Sequence, residues 1–176
     1  SEDMPTRIKG TINTTPSRVR HVGLHSTRRC VKGLPPSLPG HGTYVLVITL
    51  GRPIRIRVGA LGRLHFKRGV YVYVGSARRG LLSRIRRHIS KRKRLRWHID
   101  WITSHRVFEI RGVWVSEAVG VECRLAEVIS KQADGFIPCF GSSDCRCRSH
   151  LIFFGSSKML DVIRRLGLSR VAWPSD

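Results

Sequence analysis

Hydrophobic and polar positions along the chain change period several times, and each change marks an element. Residues 43–50 are apolar and β-branched, which predicts a strand. After a turn at Gly51-Arg52-Pro53, residues 54–58 read Ile-Arg-Ile-Arg-Val. That strict alternation predicts a half-buried second strand. Residues 61–69 read as a connection, and residues 70–74, bounded by Gly69 and Gly75, as a third strand. The opening layout expected from this is two antiparallel neighbours followed by a third strand.

Helical spacing takes over at residues 80–91, where Leu81, Ile85, His88 and Ile89 fall on one face. Residues 91–96 form a basic, solvated end. Residues 97–105 read as a second helix, with Trp101 or Ile102 inward, and residues 107–116 return to strand character. Residues 119–132 are helical, with Val121, Leu125, Val128 and Ile129 as the apolar stripe. Residues 136–150 form a compact loop rich in Gly, Ser and Cys. Residues 151–154 make a short strand and residues 158–166 a last amphipathic helix. The sum is an α+β fold: a small mixed, largely antiparallel sheet flanked by helices.

Composition adds boundaries. The 176 residues, 41% of them hydrophobic, suffice for one compact domain. Residues 1–41 carry Pro5, Pro16, Pro35, Pro36 and Pro39 and no apolar period, and are expected to form a flexible basic arm ending in a Pro-rich linker. Residues 42–155 are the expected folded domain, with a C-terminal helix and tail over 156–176 packing on it. No apolar run approaches a membrane span and no secretory h-region is visible, so a soluble, cytoplasmic and nucleoid-associated protein is expected, without a membrane partner. A second reading of residues 4–41 is an organelle targeting segment, since they are Arg-rich and free of acid.

Charge changes the picture most. Lys and Arg total 33 against 11 acidic residues, a formal net charge of +22. Between Asp3 and Asp100 there is no Asp or Glu. A field this one-sided attracts polyanions, which makes nucleic acid the expected partner. It also confines any carboxylate metal ligand to the second half or the extreme N-terminus. Two carboxylates stand out on the 119–132 helix. At about 100° per residue, Glu122 lies beside Ile129 on the border of the apolar stripe, whereas Glu127 points to solvent. The plain alternative is that both are ordinary surface carboxylates.

Gly42-Thr43-Tyr44 opens the first strand and Tyr73-Val74-Gly75 closes the third. Arg84 and His88 follow at i, i+4 spacing, which sets both on one helix face. This order resembles the GIY-YIG nuclease domain, in which a Gly-x-Tyr and a Tyr-x-Gly lie on neighbouring antiparallel strands. There they are followed by a helix bearing an Arg and often a His or Tyr, and then by a Glu from a later helix. The stretches Gly69 to Ala77, Trp97-His98-Ile99-Asp100, Glu122-Cys123 and Phe140-Gly141-Ser142-Ser143-Asp144-Cys145-x-Cys147, ending in Ser149-His150-Leu151, look like a small, mostly prokaryotic Uri-type branch. Members of that branch stand alone or are joined to endonuclease III-like DNA glycosylases. The resemblance covers roughly two-thirds of the chain.

The resemblance implies a divalent-metal-dependent endonuclease that hydrolyses phosphodiester bonds in nucleic acid, DNA in preference to RNA, in a repair or structure-selective role. It implies Glu122 as ligand to one Mg²⁺ or Mn²⁺, Arg84 on the non-bridging oxygens, and Tyr44 or Tyr73 as general base. A free phenol titrates near pH ~10, so the base role asks Arg84, Arg87 and the metal to lower it. His88 is expected to hydrogen-bond a tyrosine or the phosphate, with a buried core histidine as the plain alternative. The family pattern commonly ends in an Asn after the Glu helix. The only Asn here is Asn13, and the Ser143-Asp144 pair stands in that place. Gly75, His98 and Asp100 complete the expected surroundings, His98-x-Asp100 either facing substrate or supporting the site from behind, or else starting a helix capped by its neighbours. A second function class is a non-catalytic module that grips nucleic acid or a ribonucleoprotein on the same scaffold.

The odd count of five cysteines argues for free thiols or metal ligands over a disulfide frame. Cys145-x-Cys147-x2-His150 offers zinc ligands, with Cys139 or Cys123 as a fourth. The Cys-x-Cys spacing is tighter than that of usual zinc pairs, so thiols packing a loop are the favoured reading over Zn²⁺.

Overall fold

The computed structural model describes residue 34 and residues 38–172, so most of the arm expected over 1–41, with Cys30 and Asn13, lies outside the described residues. Two residues of the expected linker belong to the fold: Leu34 is buried in a core cluster and Leu38 packs against the same cluster.

Eight strands and four α-helices alternate along the described residues. The strands are β1 (Gly42–Leu50), β2 (Ile54–Arg57), β3 (Arg63–Phe66), β4 (Gly69–Ala77), β5 (Phe108–Ser116), β6 (Gly135–Phe136), β7 (Leu151–Phe154) and β8 (Ser169–Arg170). The helices are α1 (Leu81–Ile89), α2 (His98–Thr103), α3 (Glu122–Ser130) and α4 (Met159–Arg164). The main sheet has the order β6-β7-β4-β1-β5-β8, and all of its pairings are antiparallel. The α+β class is as the sequence predicts.

The opening layout differs. β1 does not pair with β2. It pairs with β4 over its whole length, Tyr44 opposite Gly75, and with β5 on its other side. β2 instead forms a separate hairpin with β3, a strand lying inside the stretch read as a connection. The reason is burial. β1 is apolar on both faces, as a strand covered on both sides must be, whereas β2 and β3 alternate and lay one apolar face on the core.

Residues of β1 sort by parity. Tyr44, Leu46, Ile48 and Leu50 join Tyr73, Leu81, Ile85, Ile99, Ile102 and Phe108 in one cluster, under α1, α2 and the β2–β3 hairpin. Val45 and Val47 join Val72, Val74, Ala126, Ile129 and Ile163 in the other, under α3 and α4. Each fully buried aliphatic or aromatic side chain contributes about 1.5–3 kcal/mol relative to exposure, so a one-residue slip of β1 would exchange both cores at once. On α3 the buried positions are Ala126 and Ile129; Val121, Leu125 and Val128 of the expected stripe are only half-buried. α4 buries Met159, Val162 and Ile163, and β8 adds to the edge of β5. No described helix is long and apolar enough to cross a membrane.

Candidate active site and cysteine cluster

The two tyrosine motifs are brought together by register. Tyr44 and Tyr73 stand on adjacent strands and on the same face, with ring centroids 6.4 Å apart. Gly75 lies opposite Tyr44, and a Cβ there would collide with the Tyr44 phenol. Any side chain at this position would therefore displace the ring. Gly141 closes the other side at φ +70°, where a Cβ would stand 3.0 Å from the Tyr73 ring.

α1 carries the next two groups. His88 is buried, and its Nε2 lies 2.7 Å from the Tyr44 hydroxyl. Burial above all, then the Lys93 ammonium, lowers the His88 imidazole to about 3, with Arg84 and Arg87 acting the same way and Asp100 opposing. It is therefore neutral near pH 7. This combines the two sequence expectations: His88 is a core histidine and the partner of a tyrosine. Arg84 donates to the Ser76 carbonyl at 2.6 Å, and its guanidinium lies over the exposed Trp97 indole, 4.9 Å from the ring centroid.

Both phenols depart from the expected lowering. Burial raises Tyr44 well above its ordinary value, and Tyr73 adds to the rise while Arg84 opposes it. Burial raises Tyr73 likewise, again against Arg84. Arg87 is not available to help, because it pairs with Asp100. The apolar packing that fixes the rings outweighs the one nearby guanidinium.

Glu122 is the first residue of α3, half-buried, and its Oε2 is buried without a hydrogen-bond partner. Glu127 is exposed and pairs with Lys131, as its place on the helix predicts. α3 packs on the sheet face opposite the tyrosines, so Glu122 does not face them across the sheet. It reaches the site from the sheet's end. There a cleft of about 460 Å³ is lined by Tyr44, Tyr73, Gly75, Arg84, Glu122, His98, Ser143 and Asp144, together with Arg96 and Trp97. Arg96 and Trp97 were not singled out by the sequence as cleft residues. Arg96 ends a basic run that reads as solvated surface, and Trp97 follows it as the first residue of the expected second helix.

Asp100 stands apart. It is completely buried and lines no part of the cleft; its Oδ2 accepts from Arg87 at 2.5 Å and from the backbone N–H groups of Arg96 and Trp97 at 2.9 and 3.0 Å. Burial raises its carboxyl, but the two backbone donors and Arg87 outweigh that and hold it below the ordinary value. Asp100 does not face the cleft; it caps the start of α2, as the alternative reading has it, and from behind the cleft it pins Trp97. His98 does line the cleft, and its Nδ1 accepts from the Gly141 N–H at 3.0 Å.

Beside the cleft, Cys123, Cys145, Cys147 and His150 bring their Sγ and imidazole nitrogen atoms within 4.8 Å of one another. Cys139 is excluded from the group. It is exposed and turned away in a left-handed conformation, φ +60°.

Comparison with curated proteins and with solved structures yields no match. Among family patterns one does match, over residues 43–170, which takes in both tyrosine motifs, α1, Glu122 and the cysteine cluster: the chain belongs to DUF123, a domain family of unknown function.

Proposed function

We propose that the protein is a GIY-YIG-type endonuclease, a divalent-metal-dependent phosphodiester hydrolase acting on nucleic acid, with DNA favoured. The observation that carries this reading is the partnerless, buried Oε2 of Glu122 at a cleft that also holds two tyrosines and an arginine. A buried carboxylate oxygen without a donor is costly, and a hard cation is the partner that suits it. Glu122 would hold Mg²⁺ or Mn²⁺, ions that keep several waters when a single carboxylate binds them. When bound, the ion supplies charge stabilisation to the leaving oxygen.

The remaining roles belong to the chain. Arg84 is held by Ser76 and Trp97 with guanidinium N–H groups left over for non-bridging phosphate oxygens. Tyr44 is the better placed base, because its hydroxyl already meets the neutral His88 Nε2. As the Tyr44 oxygen takes the proton of the attacking water, its own proton passes to His88. The water oxygen bonds to phosphorus, and the P–O bond to the leaving sugar oxygen breaks. No free phenolate accumulates on this path, and the negative charge that a bound phosphate brings to the cleft offsets the Lys93, Arg84 and Arg87 cations that hold the His88 imidazole down. Tyr73, which has no hydrogen-bond partner among the described residues, orients that water. Exposed Arg78, Arg79, Arg92 and Arg94 supply sequence-independent phosphate contacts.

The same raised phenols also favour a second reading, a nucleic-acid- or ribonucleoprotein-binding module without cleavage. A panel of single-stranded, duplex, abasic, flap and junction DNA with Mg²⁺, run beside Glu122→Gln and Arg84→Ala, separates the two. Nicking that Glu122→Gln abolishes supports the nuclease. Equal cutting by wild type and both variants overturns the site, and tight binding without cutting by wild type moves the conclusion to the module.

A further inference from the structure

We infer that Cys123, Cys145, Cys147 and His150 form a structural zinc site that ties the first turn of α3 to the 139–150 loop and to β4. The elements come from three parts of the chain. Cys123 is the second residue of α3, Cys145 and Cys147 lie in the loop, and His150 immediately precedes β7.

Distances fit the ion. Zinc–sulfur bonds of about 2.3 Å and zinc–nitrogen bonds of about 2.0–2.1 Å in a tetrahedron put ligand atoms about 3.5–3.8 Å apart. The His150 Nε2 is 3.4 Å from the Cys145 Sγ and 3.8 Å from the Cys123 Sγ. The Cys147 Sγ lies within the same 4.8 Å envelope.

The histidine is also set up as a ligand. Its Nδ1 lies 3.0 Å from the Val74 carbonyl, which can only accept, so Nδ1 carries the proton and donates. In the neutral ring this leaves the Nε2 lone pair aimed at the thiols. Metal-bound histidines are oriented in this way, through a backbone carbonyl on the other nitrogen. The imidazole is further fixed because the His150 carbonyl accepts the Val74 N–H at 3.1 Å.

Charge favours the metal form. Three thiolates and a dication carry one net negative charge, and exposed Arg124, Arg146 and Arg148 flank it. Four protein ligands close the coordination sphere, which makes the site structural and not catalytic. Its position still matters to the cleft: Cys123 follows Glu122, and Cys123, Cys145 and His150 all reach the cleft wall.

The test is metal content and cobalt spectroscopy on the full chain, purified under reducing conditions without chelator. The expected result is one zinc per chain. Exchange with Co²⁺ should give thiolate charge-transfer absorption and the intense visible bands of a tetrahedral site. Cys145→Ser and Cys147→Ser should lose the zinc, whereas Cys139→Ser keeps one per chain. Wild type that holds no zinc and develops no tetrahedral cobalt spectrum overturns the proposal, as does zinc retained in full by both Cys145→Ser and Cys147→Ser. Should those two variants fail to fold, the wild-type cobalt spectrum and the Cys139→Ser stoichiometry still decide it.

Discussion

Lowering the pH from 7 to 5 should destabilise the fold through His88 more than through any other single group. The imidazole is 1% exposed, and its Nδ1 has no hydrogen-bond partner. The charged or titratable groups bearing on it are Lys93, Arg84 and Arg87, which disfavour a cation, Asp100, which favours one, and the hydrogen-bonded Tyr44. Folding thus lowers its pKa from 6.5 to about 3. Between those values the unfolded chain binds a proton that the native state does not. Stability therefore rises with pH through this window and falls as the solution is acidified. The slope is about 1.36 kcal/mol per pH unit below the unfolded pKa, which integrates to about 2 kcal/mol between pH 7 and pH 5.

Urea unfolding of wild type and His88→Gln at pH 7, 6 and 5 measures this. Gln keeps a polar atom near the Nε2 position but does not titrate. Wild type should lose about 2 kcal/mol more than the variant over the range. His98 and His105 are also lowered by burial and add to the slope, but equally in both proteins. Asp100, held below 3.8, protonates only in stronger acid and stays outside the window. Parallel loss in the two proteins would refute the reasoning. It would mean that His88 accepts a proton in the folded state as readily as in the unfolded one, so that burial and the Lys93, Arg84 and Arg87 cations do not hold its imidazole neutral.

Three further outcomes follow from the same geometry. Asp100→Ala removes a fully buried carboxylate from Arg87 and from two backbone donors, so it should cost about 3 kcal/mol, read as a drop in urea midpoint at unchanged m-value. Tyr44→Phe should lower kcat by about 10²–10⁴, and Tyr73→Phe by less; the reverse order in single-turnover nicking would make Tyr73 the base. DNA affinity should fall steeply with salt, and the Arg78→Ala, Arg79→Ala double variant should reduce the log–log slope by about 2, with binding weakened alike for all sequences.

What the sequence disclosed depended on the range of the interaction. The β-branched run of β1 and the helical spacing of Leu81, Ile85 and His88 are local, and the structure repeats them. The partner of β1 is not local. β2 follows it after a short turn and looks like its neighbour, yet β4 takes that place, being buried on both faces as β1 is. β3 was hidden because its four alternating residues sit between glycines that read as a connection. Arg84 and His88 could be placed on one face from spacing alone. That His88 would be neutral, and the tyrosines raised, depends on how much apolar surface closes over them, which no spacing encodes. Asp100 was left between two readings for a similar reason: facing substrate and capping a helix start look alike in the sequence, and only the fold shows it turned inward to the Arg96 and Trp97 amides. Cys123 joins the other thiols only once α3 is docked beside the loop.

The site thus consists of two halves with different supports. Tyr44, Tyr73, Arg84 and His88 stand on β1, β4 and α1 and are fixed by the core beneath α1. Glu122, Ser143 and Asp144 stand on the first turn of α3 and on the loop, the two segments that the proposed zinc site would join. The two halves should therefore fail separately. Stripping zinc should loosen the carboxylate half and lower Mg²⁺-dependent cutting, while Tyr44 and His88 keep their hydrogen bond and the acid-sensitive slope of stability persists. Measuring both in one zinc-depleted sample checks the division. If the His88 slope disappears together with the cutting, the cluster supports the whole sheet end and not one half of the site.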